Sequence, residues 1–343
     1  MNTTLDFPAV CLRLAFVVLA TCSCNRASAT APASDTDFRA AYTRPAGAPQ
    51  NAANPSSPQR IALGKMLFFD PRLSGSNVMS CATCHNPSFA WADHLPVGVG
   101  SGHHPLGRHT PTILNAAFND LQMWDGRFNT LEQQALGPML SPAEMHSTPE
   151  LIVSRLSNVP RYVELFHEAY GESGITADNI AKAIGSFERT IISAEAPFDR
   201  YVAGDNHAIS PAAIRGFTLF NTKANCVVCH SGWNFTDSSF HDIGVTGDDL
   251  GRGPIIRLDS MNHAFKTPTL RNIDQRAPYT HNGSEPSIES VIELYNQGGR
   301  AKRPTLSGDI KPLGLSAAEV SDLTAFLHTL TSHDPAVTLP ELP

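Results

Sequence analysis

The sequence predicts a mainly α-helical chain of two similar domains, and three observations carry that expectation. One five-residue pattern occurs twice, as Cys81-Ala82-Thr83-Cys84-His85 and Cys226-Val227-Val228-Cys229-His230, with starting positions 145 apart. A segment with apolar residues at helical spacing leads into each copy, and further such segments follow each one. Strand-like runs are few and short. At 343 residues the chain is long enough for two domains of usual size, each able to bury a core.

Taken in order, residues Phe7 to Cys22 are mostly apolar, broken by Arg13, and a stretch rich in Ala, Ser, Thr and Pro follows. That length is short for a membrane span and reads as an export signal over 1–24, although its start is poor in positive charge. Leu19-Ala20-Thr21-Cys22 resembles a bacterial lipobox, which would put a lipid anchor on Cys22. Thr before the Cys fits less well than Gly or Ala, so simple cleavage is favoured. Residues 25–56 are low in hydrophobicity, hold Pro32, Pro45, Pro49 and Pro55, and read as a flexible tether or loosely docked arm.

The first domain is assigned to 57–203. Ser57 caps a helix over 58–69 that opens on Pro58 and carries Ile61, Leu63 and Leu67 on its apolar side. A Gly- and Ser-containing turn leads to the first Cys pair, and 86–110 is loop-like, with many Gly, Pro and His residues. Helices are expected at 129–137, 148–156, 160–170 and 177–194, the last from Ile180, Ala183, Ile184, Phe187 and Ile191. Pro197 and Gly204 mark a boundary. The second domain, 204–335, opens with Ser210-Pro211 and a helix through Phe220 that runs into the second Cys pair. Helices at 288–296 and 316–330 follow, Ser316 and Glu319 standing at capping-box distance.

Each five-residue pattern offers two thiols to the vinyl groups of a haem, and a histidine directly after the second thiol that can reach the iron from the proximal side. Half of a zinc site or a redox disulfide would explain a Cys-x-x-Cys pair. Neither explains a His at the same offset in both copies. Two covalent c-type haems are therefore expected, on two cytochrome-c-like domains. The other three cysteines, Cys11, Cys22 and Cys24, all lie in the first 24 residues, which leaves the body no spare pair for a structural disulfide. A formal charge of -7 gives no electrostatic footprint for nucleic acid.

Further blocks carry a resemblance. Leu114-Asn115-Ala116-Ala117-Phe118-Asn119, Trp124-Asp125-Gly126-Arg127, Glu132 through Pro138, Phe265 through Asn272, Pro278 through Gly283, and Tyr295-Asn296-Gln297-Gly298-Gly299, together with the Cys pairs, resemble the bacterial di-haem cytochrome c peroxidase and MauG family over nearly all of 57–332. The resemblance makes His85 and His230 proximal iron ligands and the N-terminal haem the peroxide-reactive one. It sets Gln134 and Glu144 over that haem with Pro138 nearby, Glu144 moving a proton during peroxide cleavage. Read alone, Glu144 would be an ordinary first-turn carboxylate in Ser141-Pro142-Ala143-Glu144. Trp124 would carry charge between the porphyrins while also serving as a buried aromatic beside an Asp-Gly turn. Trp91 and Trp233, each a few residues after a haem His, are expected to pack against haem.

Two positions depart from the peroxidases proper. Where those carry a distal His on a mobile loop this chain has Ser101, a poor iron ligand, with His103 and His104 beside it; the plainer reading of that pair is a solvent-exposed loop. Where they carry Met as sixth ligand of the C-terminal haem, the register falls on Tyr295, the MauG-like state, whose hard, anionic phenolate suits the storage of oxidising equivalents. As a plain sequence feature Tyr295 is an aromatic core contact of an amphipathic helix. The family also implies a calcium between the domains. Pro278 fits that pattern, but His109 and Arg276 stand where an Asn side chain and a Thr carbonyl are expected, and calcium prefers oxygen. Arg271 and His281 match family positions that support either the haem propionates or the groups behind the haem ligands.

The expected function is a MauG-like oxidase of the bacterial periplasm that uses hydrogen peroxide to form high-valent iron. It would oxidise a Trp or Tyr of an exported partner protein by long-range electron transfer. One sub-group of the family suggests Trp-to-kynurenine oxidation in a small exported copper-binding protein. The alternatives are a cytochrome c peroxidase fed by a small cytochrome or cupredoxin, and a non-enzymatic di-haem electron carrier.

Overall fold

The structure, a computed structural model, describes residues 38–343. The export signal, Cys11, Cys22, Cys24 and the first part of the 25–56 arm lie outside the described residues. Helices dominate, as expected. In chain order they are α1 (Pro58–Phe68), the single turn α2 (Cys81–Cys84), α3 (Leu131–Leu140), α4 (Pro149–Ser157), α5 (Pro160–Tyr170) and α6 (Ala177–Glu188). There follow α7 (Pro197–Val202), α8 (Pro211–Asn221), α9 (Arg252–Ile256), α10 (Ile288–Asn296) and α11 (Ala317–His328). Among the described residues the one sheet is a two-residue antiparallel pair, β1 (Phe240–His241) with β2 (Phe265–Lys266). No helix among the described residues is long and apolar enough to cross a membrane.

The caps read from sequence form. Ser57 Oγ accepts from the Arg60 amide at 3.3 Å and Ser210 Oγ from Ala213 at 3.1 Å, each ahead of a Pro at the first helical position. Ser316 and Glu319 close a reciprocal capping box. The helix expected over 177–194 stops at Glu188, because the chain beyond it leaves the helix to bond elsewhere: Ile191 O accepts from Asn115 N and the Ser193 amide donates to Asn115 Oδ1. Pro197, read as a boundary, is instead the first residue of α7, where its missing N–H costs nothing.

Two apolar cores organise these elements. The first gathers α1, α3, α4, α5 and α6 around Leu67, Phe68, Phe166 and Ile184. The second gathers α7, α8, α10 and α11 around Phe198, Phe217, Phe235 and Phe326. Phe198 and Tyr201 of α7 pack into the second core. Each core is centred on one close helix crossing that a glycine permits. A Cβ on Gly64 of α1 would stand 1.9 Å from the Ala183 carbonyl oxygen of α6, and one on Gly216 of α8 would stand 1.9 Å from that of Asp322 in α11. Gly64-Lys-Met-Leu67-Phe68 and Gly216-Phe-Thr-Leu219-Phe220 are thus the same device used twice.

The described part of the arm, 38–56, is neither free nor loosely docked. Tyr42 is fully buried in the second core, stacked on Phe235 at 5.0 Å between centroids, and its hydroxyl donates to Asn221 Oδ1 at 2.7 Å. Asn54 is buried against the first half and donates to Glu132 and to the Lys182 carbonyl, both at 2.8 Å. The low overall hydrophobicity that suggested a tether concealed two anchors, one on each core.

Candidate functional site

Both Cys pairs face one continuous cavity of about 550 Å³ that runs from the first half of the protein into the second. His85 and His230 line it, and each is oriented in the same way. The His85 Nδ1 lies 3.2 Å from the Trp91 carbonyl and the His230 Nδ1 2.9 Å from that of Phe235, so Nδ1–H donates to a carbonyl and Nε2 keeps its lone pair. Both accepting residues have left-handed backbones, φ 61° at Trp91 and 52° at Phe235, which turn the carbonyl back onto the ring. Burial lowers the basicity of both imidazoles, the form a metal requires. Trp91 and Trp233 are buried, Trp91 against Phe68 and Phe187 and Trp233 against Phe118.

These walls fit haem. Cys81, Cys84, Cys226 and Cys229 are all free thiols, and burial pushes those of Cys84 and Cys226 up to about 11 and 12. Lys266 and Arg276 line the cavity without a carboxylate partner among the described residues. Burial depresses Lys266 to about 8 and Arg276 to about 10. Two uncompensated cations in an apolar cavity are costly unless the occupant brings the counter-charge, and haem propionates do. Arg271, expected at a propionate or behind a haem ligand, is fully buried, paired with Asp199 at 2.9 Å and donating through Nε to the Trp233 carbonyl at 2.9 Å, with one terminal nitrogen unpartnered. His281 does line the cavity, stacked on Phe265 at 3.6 Å between centroids, and burial lowers it to about 4.

On the first Cys pair's side the polar groups come from α3 and the turn after it. Gln134 and Pro138 lie one turn apart on α3, and Pro138, lacking an N–H, sits in the last turn of that helix. The Pro138 carbonyl accepts from Met145 N and the Ser141 carbonyl from His146 N, a tight reversal that returns Glu144 to the face bearing Gln134 and Pro138. All three line the cavity. Burial raises the Glu144 pKa, opposed by the charge of Arg127 and a hydrogen bond from Ser141. The 99–105 loop is fastened to this turn: the Ser101 amide donates to the carbonyls of Ala143 at 3.0 Å and Glu144 at 2.9 Å. His103 and His104 are exposed and take no part in the lining.

On the other side Tyr295, from α10, lines the cavity near Cys226 and Cys229. Its hydroxyl has no hydrogen-bond partner among the described residues, whereas those of Tyr42, Tyr162 and Tyr279 donate to Asn221, Asp70 and the Ile273 carbonyl. Burial raises its pKa, so the free phenol stays protonated until a cation meets it. Asp237 and His241 also stand by Cys229, 2.8 Å apart.

Trp124 stands where the halves meet. Its Nε1 donates to the His109 carbonyl at 2.8 Å, and its own carbonyl accepts from the Lys266 amide at 2.8 Å. The His109 amide donates to the His281 carbonyl at 2.8 Å. These bonds obey an offset of 157 residues, 109 with 266 and 124 with 281, so equivalent amides and carbonyls are exchanged across a local pseudo-twofold axis. The matching sequences are Thr110-Pro-Thr-Ile-Leu-Asn115 and Thr267-Pro-Thr-Leu-Arg-Asn272. Arg108 secures the same junction, forking onto Asp249 at 2.6 and 2.9 Å and reaching Asp125 at 2.6 Å. Sequence reading missed Arg108, Lys266 and this repeat; the Thr-Pro-Thr-x-x-Asn pattern was the signal that would have found the repeat.

Of the expected calcium donors, His109 offers nitrogen in place of an amide oxygen, its Nδ1 already donating to the Leu95 carbonyl at 2.7 Å. Arg276 and Pro278 keep their main-chain carbonyls, but the buried Arg276 side chain adds a positive charge, so one donor is lost and a cation is gained.

Comparison with known proteins agrees with this geometry. Residues 58–207 match the family model described as di-haem cytochrome c peroxidase and 213–331 that of cytochrome c. The chain is 49% identical to a methylamine utilization protein MauG of Methylorubrum extorquens, over 94% of this chain and 93% of that one. It is 36% identical to a cytochrome c551 peroxidase of Pseudomonas aeruginosa, over 84% and 83%. A solved MauG-like protein associated with microbial copper homeostasis superposes with a TM-score of 0.78 at 31% identity, over 85% of this chain and 94% of that one. The chain therefore belongs to the bacterial di-haem peroxidase family of MauG and the cytochrome c peroxidases, haem-dependent oxidoreductases with two c-type haems.

Proposed function

We propose that this enzyme oxidises a Trp or Tyr side chain of an exported partner protein at a distance, with hydrogen peroxide as oxidant. The observation that carries the reading is the asymmetry of the cavity walls: an acid-base carboxyl, Glu144, with the neutral amide of Gln134 on the first Cys pair's side, and an unpartnered phenol, Tyr295, on the second's. The haems, when bound, supply peroxide reduction and the storage of two oxidising equivalents.

The residues do the rest. The Glu144 carboxylate takes a proton from the incoming peroxide and returns it to the oxygen that leaves as water. Gln134 orients the peroxide through its amide, and Pro138 keeps that side of the pocket dry. His103 and His104 stay in solvent, so no protein nitrogen blocks peroxide. Tyr295 would hold the second haem through its phenol oxygen, a donor that favours oxidised over reduced metal. Trp124, at the junction of the halves with its indole held by the His109 carbonyl, would pass electrons from one half to the other. No pocket for the substrate side chain is needed. Calcium has no part in this reading.

The two relatives named for methylamine utilization share 49% and 44% identity with this chain, against 31% for the copper-associated protein. We therefore take the partner to be a protein of methylamine oxidation in preference to a copper-binding protein. The enzyme would act in the periplasm, delivered by its leader, with lipidation at Cys22 as the minor route. The test mixes holoenzyme, peroxide and the exported protein encoded beside it, and follows the partner by mass spectrometry. A partner of unchanged mass after many turnovers, with rapid peroxide-dependent oxidation of a reduced small cytochrome, would make this a cytochrome c peroxidase, as the 36% relative is named. Electron paramagnetic resonance of the ferric enzyme and its Tyr295→Phe variant checks the ligand: one signal should change and the other persist. A spectrum with both haems six-coordinate and low-spin, unchanged by Y295F, would favour a plain electron carrier.

A further inference from the structure

We propose that Arg276 is a built-in cation that replaces a bound metal ion between the two halves, so that this enzyme works without calcium. The disagreement between the expected donor set and the residues present is the starting point, and the surroundings of Arg276 extend it. The guanidinium is buried, belongs to the second half and lines the shared cavity. It donates to two carbonyls of its own half, Thr269 at 2.7 Å through one terminal nitrogen and Asn272 at 3.4 Å through Nε. No carboxylate pairs with it among the described residues; the carboxylates nearest the junction are already committed, Asp249 and Asp125 to Arg108 and Asp242 to Arg303.

A guanidinium has five N–H donors, and two carbonyls leave the others for a partner from the cavity. Across the junction, burial lowers the basicity of His109, and the charge of Arg276 adds to that against the opposing Asp93. His109 in turn carries the carbonyl that holds the Trp124 indole, and the residue before Arg276 accepts from His94 of the first half through the Gln275 carbonyl. Arg276 therefore sits where a cation would tie both halves to the Trp124 bridge. A divalent ion placed there would meet that positive charge and, at His109, an imidazole nitrogen where an amide oxygen is expected, with only main-chain carbonyls left as hard oxygen donors. A tethered cation, unlike an ion, cannot dissociate, and the carboxylates it awaits are haem propionates.

The test uses the holoenzyme as purified. Metal analysis should find no stoichiometric calcium, and exhaustive treatment with a calcium chelator should leave the ferric paramagnetic resonance spectrum and the peroxide response unchanged. The double variant Arg276→Thr with His109→Asn should bind one calcium per chain, and its spectrum and peroxide response should become chelator-sensitive and recover when calcium is restored. Arg276→Lys should stay metal-independent, because it keeps the charge. Stoichiometric calcium in the wild type, with a changed spectrum on its removal, would overturn the proposal. So would a folded double variant that takes up no calcium. Because metal content and the ferric haem spectra decide the proposal, failure here would leave the partner-oxidation reading standing.

Discussion

Two carboxyls on the cavity wall separate chemistry from stability. Glu144 is half-buried at the tip of the turn after α3, with its pKa raised by burial. Substituting Gln keeps the size and removes the proton carrier, so E144Q should lose peroxide turnover by roughly 100- to 10,000-fold while both haems stay attached. Stopped-flow spectra with peroxide check the first outcome and mass spectrometry the second. Full turnover in E144Q would mean that the acid-base group lies elsewhere. Glu188, near Cys81 at the end of α6, is buried with one carboxyl oxygen unpartnered, and burial lifts its pKa to about 8. A carboxyl whose folded pKa exceeds its unfolded one holds a proton that the unfolded chain has released. Its contribution to stability is therefore fully present below the ordinary carboxylate range and lost as pH rises towards about 8. Glu188→Gln should be neutral near pH 4 and stabilise by about 1–3 kcal/mol at pH 8. Denaturant unfolding of the holoenzyme at the two pH values measures it.

At the scale of elements, the molecule repeats itself in devices rather than in residues. Gly64 on α1 and Gly216 on α8 each allow a backbone to touch the helix that crosses it. A methyl there meets a main-chain oxygen that is itself part of a helix and has nowhere to move. Gly64→Ala and Gly216→Ala should each cost at least about 3 kcal/mol, the upper end of overpacking penalties. Thermal unfolding should show the first loosening the half built on α1 and α6 and the second the half built on α8 and α11. The second device is an asparagine latch. Asn115 and Asn272 both adopt left-handed backbones and tie a loop to the chain after α6 or α11. In one case the Ser193 amide donates to Asn115 Oδ1 at 3.0 Å; in the other the Ser332 amide donates to Asn272 Oδ1 at 3.2 Å. With these latches α6 ends at Glu188, more than a turn before the expected 194, and α11 at His328, two residues before the expected 330.

At the scale of the whole molecule, one continuous cavity depends on two cores that are held in register. Arg108 with Asp125 and Asp249 and the exchanged bonds around Trp124 fix the junction, while the 38–56 arm fastens both cores from outside. Tyr42 is the arm's one large, fully buried side chain, stacking on Phe235 and meeting Phe198 and Phe217 edge-on. Tyr42→Ala should cost about 3–5 kcal/mol, as for other large aromatic truncations. Denaturant unfolding of full-length holoenzyme reads this out, and a change within a few tenths of a kcal/mol would mean that the arm is only loosely attached after all.

The sequence by itself determined the helices, their caps and the identity of the cofactor. Those features are local: a capping serine three residues from its amide, or two thiols and an imidazole within five residues, carry their chemistry wherever the chain goes. It also pointed to Glu144, Gln134, Trp124 and Tyr295, through resemblance and not through any local pattern. Only the tertiary structure decided that these residues line one cavity, that His103 and His104 point away from it, and that the 38–56 arm is docked. It also placed the buried guanidinium of Arg276 beside His109 in surroundings unsuited to calcium. Each of those outcomes depends on groups 14 to 180 positions apart whose burial and charge are set jointly, and no short window of sequence contains both partners.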